Sequence, residues 1–133
     1  MNLIFADTFY FLALLNQEDA AHTKARAASE EITDPIVTTA WVLTEVADAL
    51  AAPNLRHIFL RLMESLRSDP NTTIVPPSQA LFDQGLKLYA ERPDQGWTLT
   101  DCTSFVVMEQ QGITQALTGD RHFEQAGFRA LLR

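Results

Sequence analysis

Short apolar runs alternate with longer amphipathic stretches from one end of this chain to the other. The run Leu3-Ile4-Phe5-Ala6 predicts a buried strand over 2–6, and the apolar stretch after it predicts a helix over 9–15. Asn16, followed by Glu18 and Asp19, reads as the N-cap of a second helix with acids in its first turn. That helix runs through an alanine-rich stretch to about residue 29, before Asp34-Pro35 breaks the pattern. A short strand is expected at 36–38. Val42, Leu43, Val46, Ala47 and Leu50 share one face of a helix over 39–51. Pro53 ends it and seeds another helix from 54. There Leu55, Ile58, Phe59, Leu62, Met63 and Leu66 form the cleanest apolar stripe in the chain.

A further strand is expected at 72–75, stopped by Pro76-Pro77. Ser78 reads as the cap of a helix reaching about residue 91, and 92–97 reads as a loop. Thr98 and Asp101 form a T-x-x-D capping pattern for the next helix, which ends at Gly112, a C′ glycine. A strand at 114–118, a short helix at 120–125 and a last strand at 128–132 complete the pattern. Strands alternating with helices predict an α/β fold: a three-layer α/β/α sandwich around a central parallel sheet. At 133 residues the chain is expected to form one domain over 1–133, large enough for a core without disulfides.

Four acids sit where such a fold places a ligand, outside the carboxyl ends of its strands. Asp7 closes the first apolar run, and Asp120 follows the run Thr114-Gln115-Ala116-Leu117-Thr118 after Gly119. Asp101 opens an apolar helix. Glu45 lies on the helix after Ile36-Val37, about 100° around from Val46 at the edge of the apolar stripe. Each acid has a plain structural use as a cap, a turn residue or a solvated helix position. Together they imply more. Four carboxylates in one place repel one another unless a cation sits between them, and a hard divalent ion is the natural candidate.

Other chemistries lack their parts. There is no G-x-G-x-x-G after the first strand, no G-x-x-x-x-G-K-[ST] loop and no G-x-S-x-G elbow. His22, His57 and His122 show no zinc-type spacing with the lone Cys102, which reads as a small buried hydrophobe. His57 reads as a surface residue. His122 stands within reach of a substrate beside Asp120, but also reads first as surface. The formal net charge of −7 weighs against nucleic-acid binding, although the four candidate ligands account for more than half of it. No apolar run approaches the ~18 residues of a membrane span, and a soluble cytoplasmic protein is expected. Phe9, Phe11 and Trp97 are expected to be exposed for a partner or a dimer interface, with core packing an equal alternative for Phe9 and Phe11.

The segments that carry these acids resemble the PIN domain family, and within it the small VapC-type toxin nucleases. The resemblance covers essentially the whole chain: Ile4-Phe5-Ala6-Asp7-Thr8; Trp41-Val42-Leu43-Thr44-Glu45-Val46; Leu99 through Met108 around Asp101-Cys102; and Ala116-Leu117-Thr118-Gly119-Asp120-Arg121-His122-Phe123. It implies that Asp7, Glu45, Asp101 and Asp120 are catalytic metal-binding acids and that Thr8 and Thr118 are supporting hydroxyls. It also implies a Mg²⁺- or Mn²⁺-dependent endoribonuclease, the toxin of a type II toxin–antitoxin pair, homodimeric and held inactive by a small antitoxin protein. Arg121, Lys24 and Arg26 are the expected RNA contacts, with Arg56, Arg61 and Arg67 as further candidates. The competing readings are a DNA nuclease or phosphatase using the same acids, or a PIN scaffold that has lost catalysis and acts by protein binding.

Overall fold

In the computed structural model, which describes residues 2–133, five strands form one sheet: β1 (Ile4–Ala6), β2 (Ile36–Thr39), β3 (Thr72–Val75), β4 (Gln115–Leu117) and β5 (Arg129–Ala130). All pairings are parallel, in the order β3-β2-β1-β4-β5. Phe5 stands opposite Val37 on one side and Ala116 on the other. The three residues of β1 are all buried, as expected for a central strand covered on both faces. From β1 the chain steps outward to β2 and β3, then crosses back to place β4 and β5 on the other flank. The order therefore reverses at β1 and β4, and a crevice opens beyond their carboxyl ends.

Among the described residues seven helices flank the sheet: α1 (Thr8–Leu15), α2 (His22–Glu31), α3 (Ala40–Ala49), α4 (Arg56–Ser68), α5 (Gln79–Glu91), α6 (Leu99–Gln111) and α7 (Arg121–Gln125). Several ends follow local chemistry. The Ser78 hydroxyl accepts from Leu81 N at the start of α5. Thr98 and Asp101 form a reciprocal capping box at the start of α6. Gly112, at φ 67°, ends α6 in the left-handed conformation that favours glycine.

Long-range packing overrides the local pattern elsewhere. Asn16 does not cap α2. Its Oδ1 accepts from Glu18 N, and Asp19 Oδ1 accepts from Ala21 N, so both side chains build turns and delay α2 to His22. Pro53 and Asn54 likewise remain in a turn, and α4 starts at Arg56. Phe11 is buried and half-buried Phe9 covers Gly119, so the core alternative holds for these two rings, whereas Trp97, expected to be exposed, is instead buried against Phe105. Trp97 and Phe123 both pack edge-on against Phe105, with ring centroids 5.1 and 4.9 Å apart. This cluster fixes α6 and α7, the helices that follow Thr98 and Asp120.

The tightest helix contact is between α5 and α6. At Gly85 a Cβ would fall 2.6 Å from Thr103 Cγ2, and Thr103 is itself fully buried. Gly85→Ala should therefore destabilise the protein by about 1–3 kcal/mol through overpacking, despite alanine's better helix propensity. A lowered urea midpoint, partly restored by adding Thr103→Ser, is the expected result. An unchanged midpoint would contradict the contact.

Candidate active site

Asp7 directly follows β1 and occupies the N-cap position of α1, yet its side chain makes no cap hydrogen bond. It is 5% exposed and turns towards β4, where Thr118 Oγ1 donates to Asp7 Oδ2 at 2.8 Å. The same hydroxyl oxygen accepts from Asp120 N at 3.0 Å. One threonine at the end of β4 thus joins the Asp7 carboxylate to the backbone of Asp120. Gly119 lies between them because a side chain there would collide with the Phe9 ring.

Asp101 sits in the first turn of α6, buried. Its Oδ2 accepts from Thr98 N at 3.0 Å, and its own backbone N–H donates to Thr98 Oγ1 at 3.0 Å. Asp120 caps α7, its Oδ1 accepting from His122 N at 2.9 Å. Glu45 projects from α3, whose start Thr39 fixes by accepting from Val42 N. Thr8 Oγ1 donates to Glu45 Oε1 at 2.6 Å, which ties α3 to the residue after Asp7. At least one oxygen of every acid is therefore held by a donor of the chain itself.

Burial is the largest influence on Asp7 and raises its carboxyl from the ordinary 3.8 to about 7. The Thr118 hydrogen bond pulls the other way. The charge of Asp101 raises it further, the Thr8 backbone N–H lowers it and Asp120 raises it. Asp101 and Asp120 are thus close enough for their charges to act on Asp7. Among the described residues, Asp101, Asp120 and His122 bring one potential ligand atom each within 4.8 Å of one another. Asp7 and Glu45 lie outside that set, linked to it by Thr118 and by electrostatics in the first case and by Thr8 in the second.

His122, read first as a surface residue, instead turns its ring into the crevice. Its side chain is only 25% exposed, and Nδ1 lies 3.0 Å from Asp101 Oδ2 and 3.5 Å from Asp120 Oδ2. Its backbone role was legible, since an N-cap carboxylate binds the N–H two residues on. Its reach across to α6 has no local signal. The expected RNA contacts are more scattered. Arg121 is exposed beside Asp120, with no ion pair among the described residues. Lys24 donates to the Arg133 carbonyl oxygen, and Arg26 pairs with Glu30. Arg56 donates to the Ala51 carbonyl oxygen. Arg61 lines a cleft of about 660 Å³ between α1, α2 and α4 that contains none of the four acids. Arg67 is exposed in the last turn of α4.

The PIN domain model matches residues 4–129, and the chain belongs to that family. Its likeness within the family is to a VapC-type toxin. It is 28% identical over 128 residues to the 23S rRNA-specific endonuclease VapC20 of Mycobacterium tuberculosis, covering 95% of each protein. The crystal structure of M. tuberculosis VapC20, described as a sarcin-ricin loop cleaving toxin, superposes with a TM-score of 0.85 at 26% identity, covering 94% of this chain and 95% of that one. FitAcB from Neisseria gonorrhoeae shares the fold, with a TM-score of 0.63 at 19% identity over 96% and 94% of the two chains.

The Asp7 value has a consequence for stability. The folded-state value lies above the ordinary one, so the fold favours the protonated acid. That contribution is complete below about pH 4 and is lost as the pH rises through about 7, at a cost on the order of 2–4 kcal/mol. Asp7→Asn should therefore raise the melting temperature of EDTA-treated protein at pH 8 and lose that advantage by pH 4. Parallel melting curves for the two proteins across this range would contradict the assignment.

Proposed function

We propose that this chain is a divalent-metal-dependent endoribonuclease, the toxin partner of a small antitoxin protein. The observation that carries the reading is the convergence of Asp7, Asp101 and Asp120 on one crevice, with the buried Asp7 carboxyl pushed up to about 7. A site built for neutral groups would gain nothing from that arrangement. The donors are carboxylate oxygens, which fit Mg²⁺ or Mn²⁺. Asp7, Asp101 and Asp120 would hold the ion, with Glu45 at the margin. When bound, such an ion activates water and neutralises charge at a phosphodiester.

The chain's own residues prepare the site. Thr118 fixes Asp7 Oδ2 and the Asp120 backbone together, and Thr8 fixes Glu45. Both hydroxyls act before any ligand arrives, so the acids keep their places at little reorganisation cost. Arg121, exposed beside Asp120, is the nearest candidate for a substrate phosphate, with Lys24 and Arg26 further out on α2.

VapC20 acts on 23S rRNA, and a match spanning nearly the whole of both chains supports a structured ribosomal RNA as substrate here. Exposed Phe82, Leu86 and Tyr89 on α5 support a homodimer. Among the described residues no helix is long and apolar enough to cross a membrane, and an RNA substrate fits a cytoplasmic location.

Purified protein with Mn²⁺ or Mg²⁺ should cut 23S rRNA while sparing single-stranded DNA and a small phosphate ester. EDTA should stop the reaction. Asp7→Asn and Asp101→Asn should each lower the rate by at least about 100-fold while the fold survives. Full activity in either variant at saturating Mg²⁺ would overturn the assignment. Cleavage of DNA or of the ester instead of RNA would reassign the substrate.

A further inference from the structure

We propose that His122 is a positioning residue that sets the orientation of the Asp101 carboxylate for cation binding. The proposal rests on the metal-site reading above and adds a residue to it. Asp101 Oδ2 has two neighbours, Thr98 N at 3.0 Å and His122 Nδ1 at 3.0 Å. A nitrogen lone pair facing a carboxylate at that distance would repel it, so Nδ1 carries the proton and donates. Oδ2 then accepts two hydrogen bonds from the chain, one from each side. Among the described residues nothing donates to Asp101 Oδ1, and it is the oxygen left for a ligand.

The imidazole is itself held. Its backbone N–H is fixed by Asp120 Oδ1 at 2.9 Å. Its Nε2 faces the loop at Gly96, where a Cβ would lie 4.0 Å away. The neighbouring Phe123 is locked between Phe5 and Phe105, so α7 has little freedom to carry the ring elsewhere. One residue therefore joins the two acids that come from different helix starts. It receives its place from Asp120 through its backbone and gives Asp101 its orientation through its ring. Residues that orient ligands in this way typically contribute 10–100-fold to metal affinity.

Two replacements separate this role from simple packing. The side-chain amide nitrogen of asparagine can stand where Nδ1 stands, whereas that of glutamine extends towards the position of Nε2. His122→Asn should keep the Mn²⁺ dissociation constant within about threefold of wild type. His122→Gln and His122→Ala should each weaken Mn²⁺ binding by about 10-fold or more. All three should melt within a few degrees of wild type in EDTA. Titration calorimetry reads the affinities. Electron–nuclear double resonance on the Mn²⁺ complex of ¹⁵N-histidine-labelled protein reads the contact, and no directly bonded nitrogen coupling is expected. Equal affinity in wild type and His122→Ala would overturn the proposal, as would a direct Mn–N coupling, which would make His122 a ligand. If wild-type protein itself fails to bind Mn²⁺, the metal-site reading fails and this proposal with it.

Discussion

The burial of a carboxylate among other carboxylates is the constraint that organises this molecule. Asp7 is almost completely removed from water, and Asp101 and Asp120 add repulsion to the cost of desolvation. Nothing in the hydrophobic core requires an acid there. The fold tolerates the cost because the surrounding elements are fixed by other means: a continuous parallel ladder, an aromatic cluster around Phe105, and the capping box at the start of α6. The strained charge is concentrated at one edge of the sheet, and stability is supplied by the rest.

Parallel topology explains why the acids meet. Residues 7 and 120 are far apart in the chain, yet the reversal of strand order makes β1 and β4 neighbours. Whatever follows each strand projects into the same crevice. The helices add acids that also serve their own helix starts. Asp101 satisfies the start of α6 and Asp120 the start of α7, and each keeps an oxygen beyond that duty. A helix cap and a ligand are therefore not competing explanations for these acids.

Much of this was legible from residue order. The strand ends with Asp7 and Asp120, the capping box of Thr98 and Asp101, the cap at Ser78 and the glycine at 112 all depend on neighbours a few positions away. The failures share the opposite property. Asn16 and Asp19 could each have capped a helix, and only the turns they close in three dimensions decide against it. Trp97 looked exposed because its burial depends on Phe105 and Gln125, reached across distant segments. The ring of His122 meets a residue 21 positions away on another helix. The link from Thr8 to Glu45 spans 37. Residue order placed Glu45 on the right helix, and the family resemblance named Thr8 as a supporting hydroxyl, but only the folded chain pairs the two.

The Thr118 hydroxyl has one proton, and it points to Asp7, so the oxygen must receive from the backbone of Asp120. That direction is not reversible while Asp7 is ionised. A single side chain thus behaves as a rivet across the gap between two strand ends, at the point where the ladder stops and mutual repulsion would prise them open. The width of the gap is thus set by the chain itself.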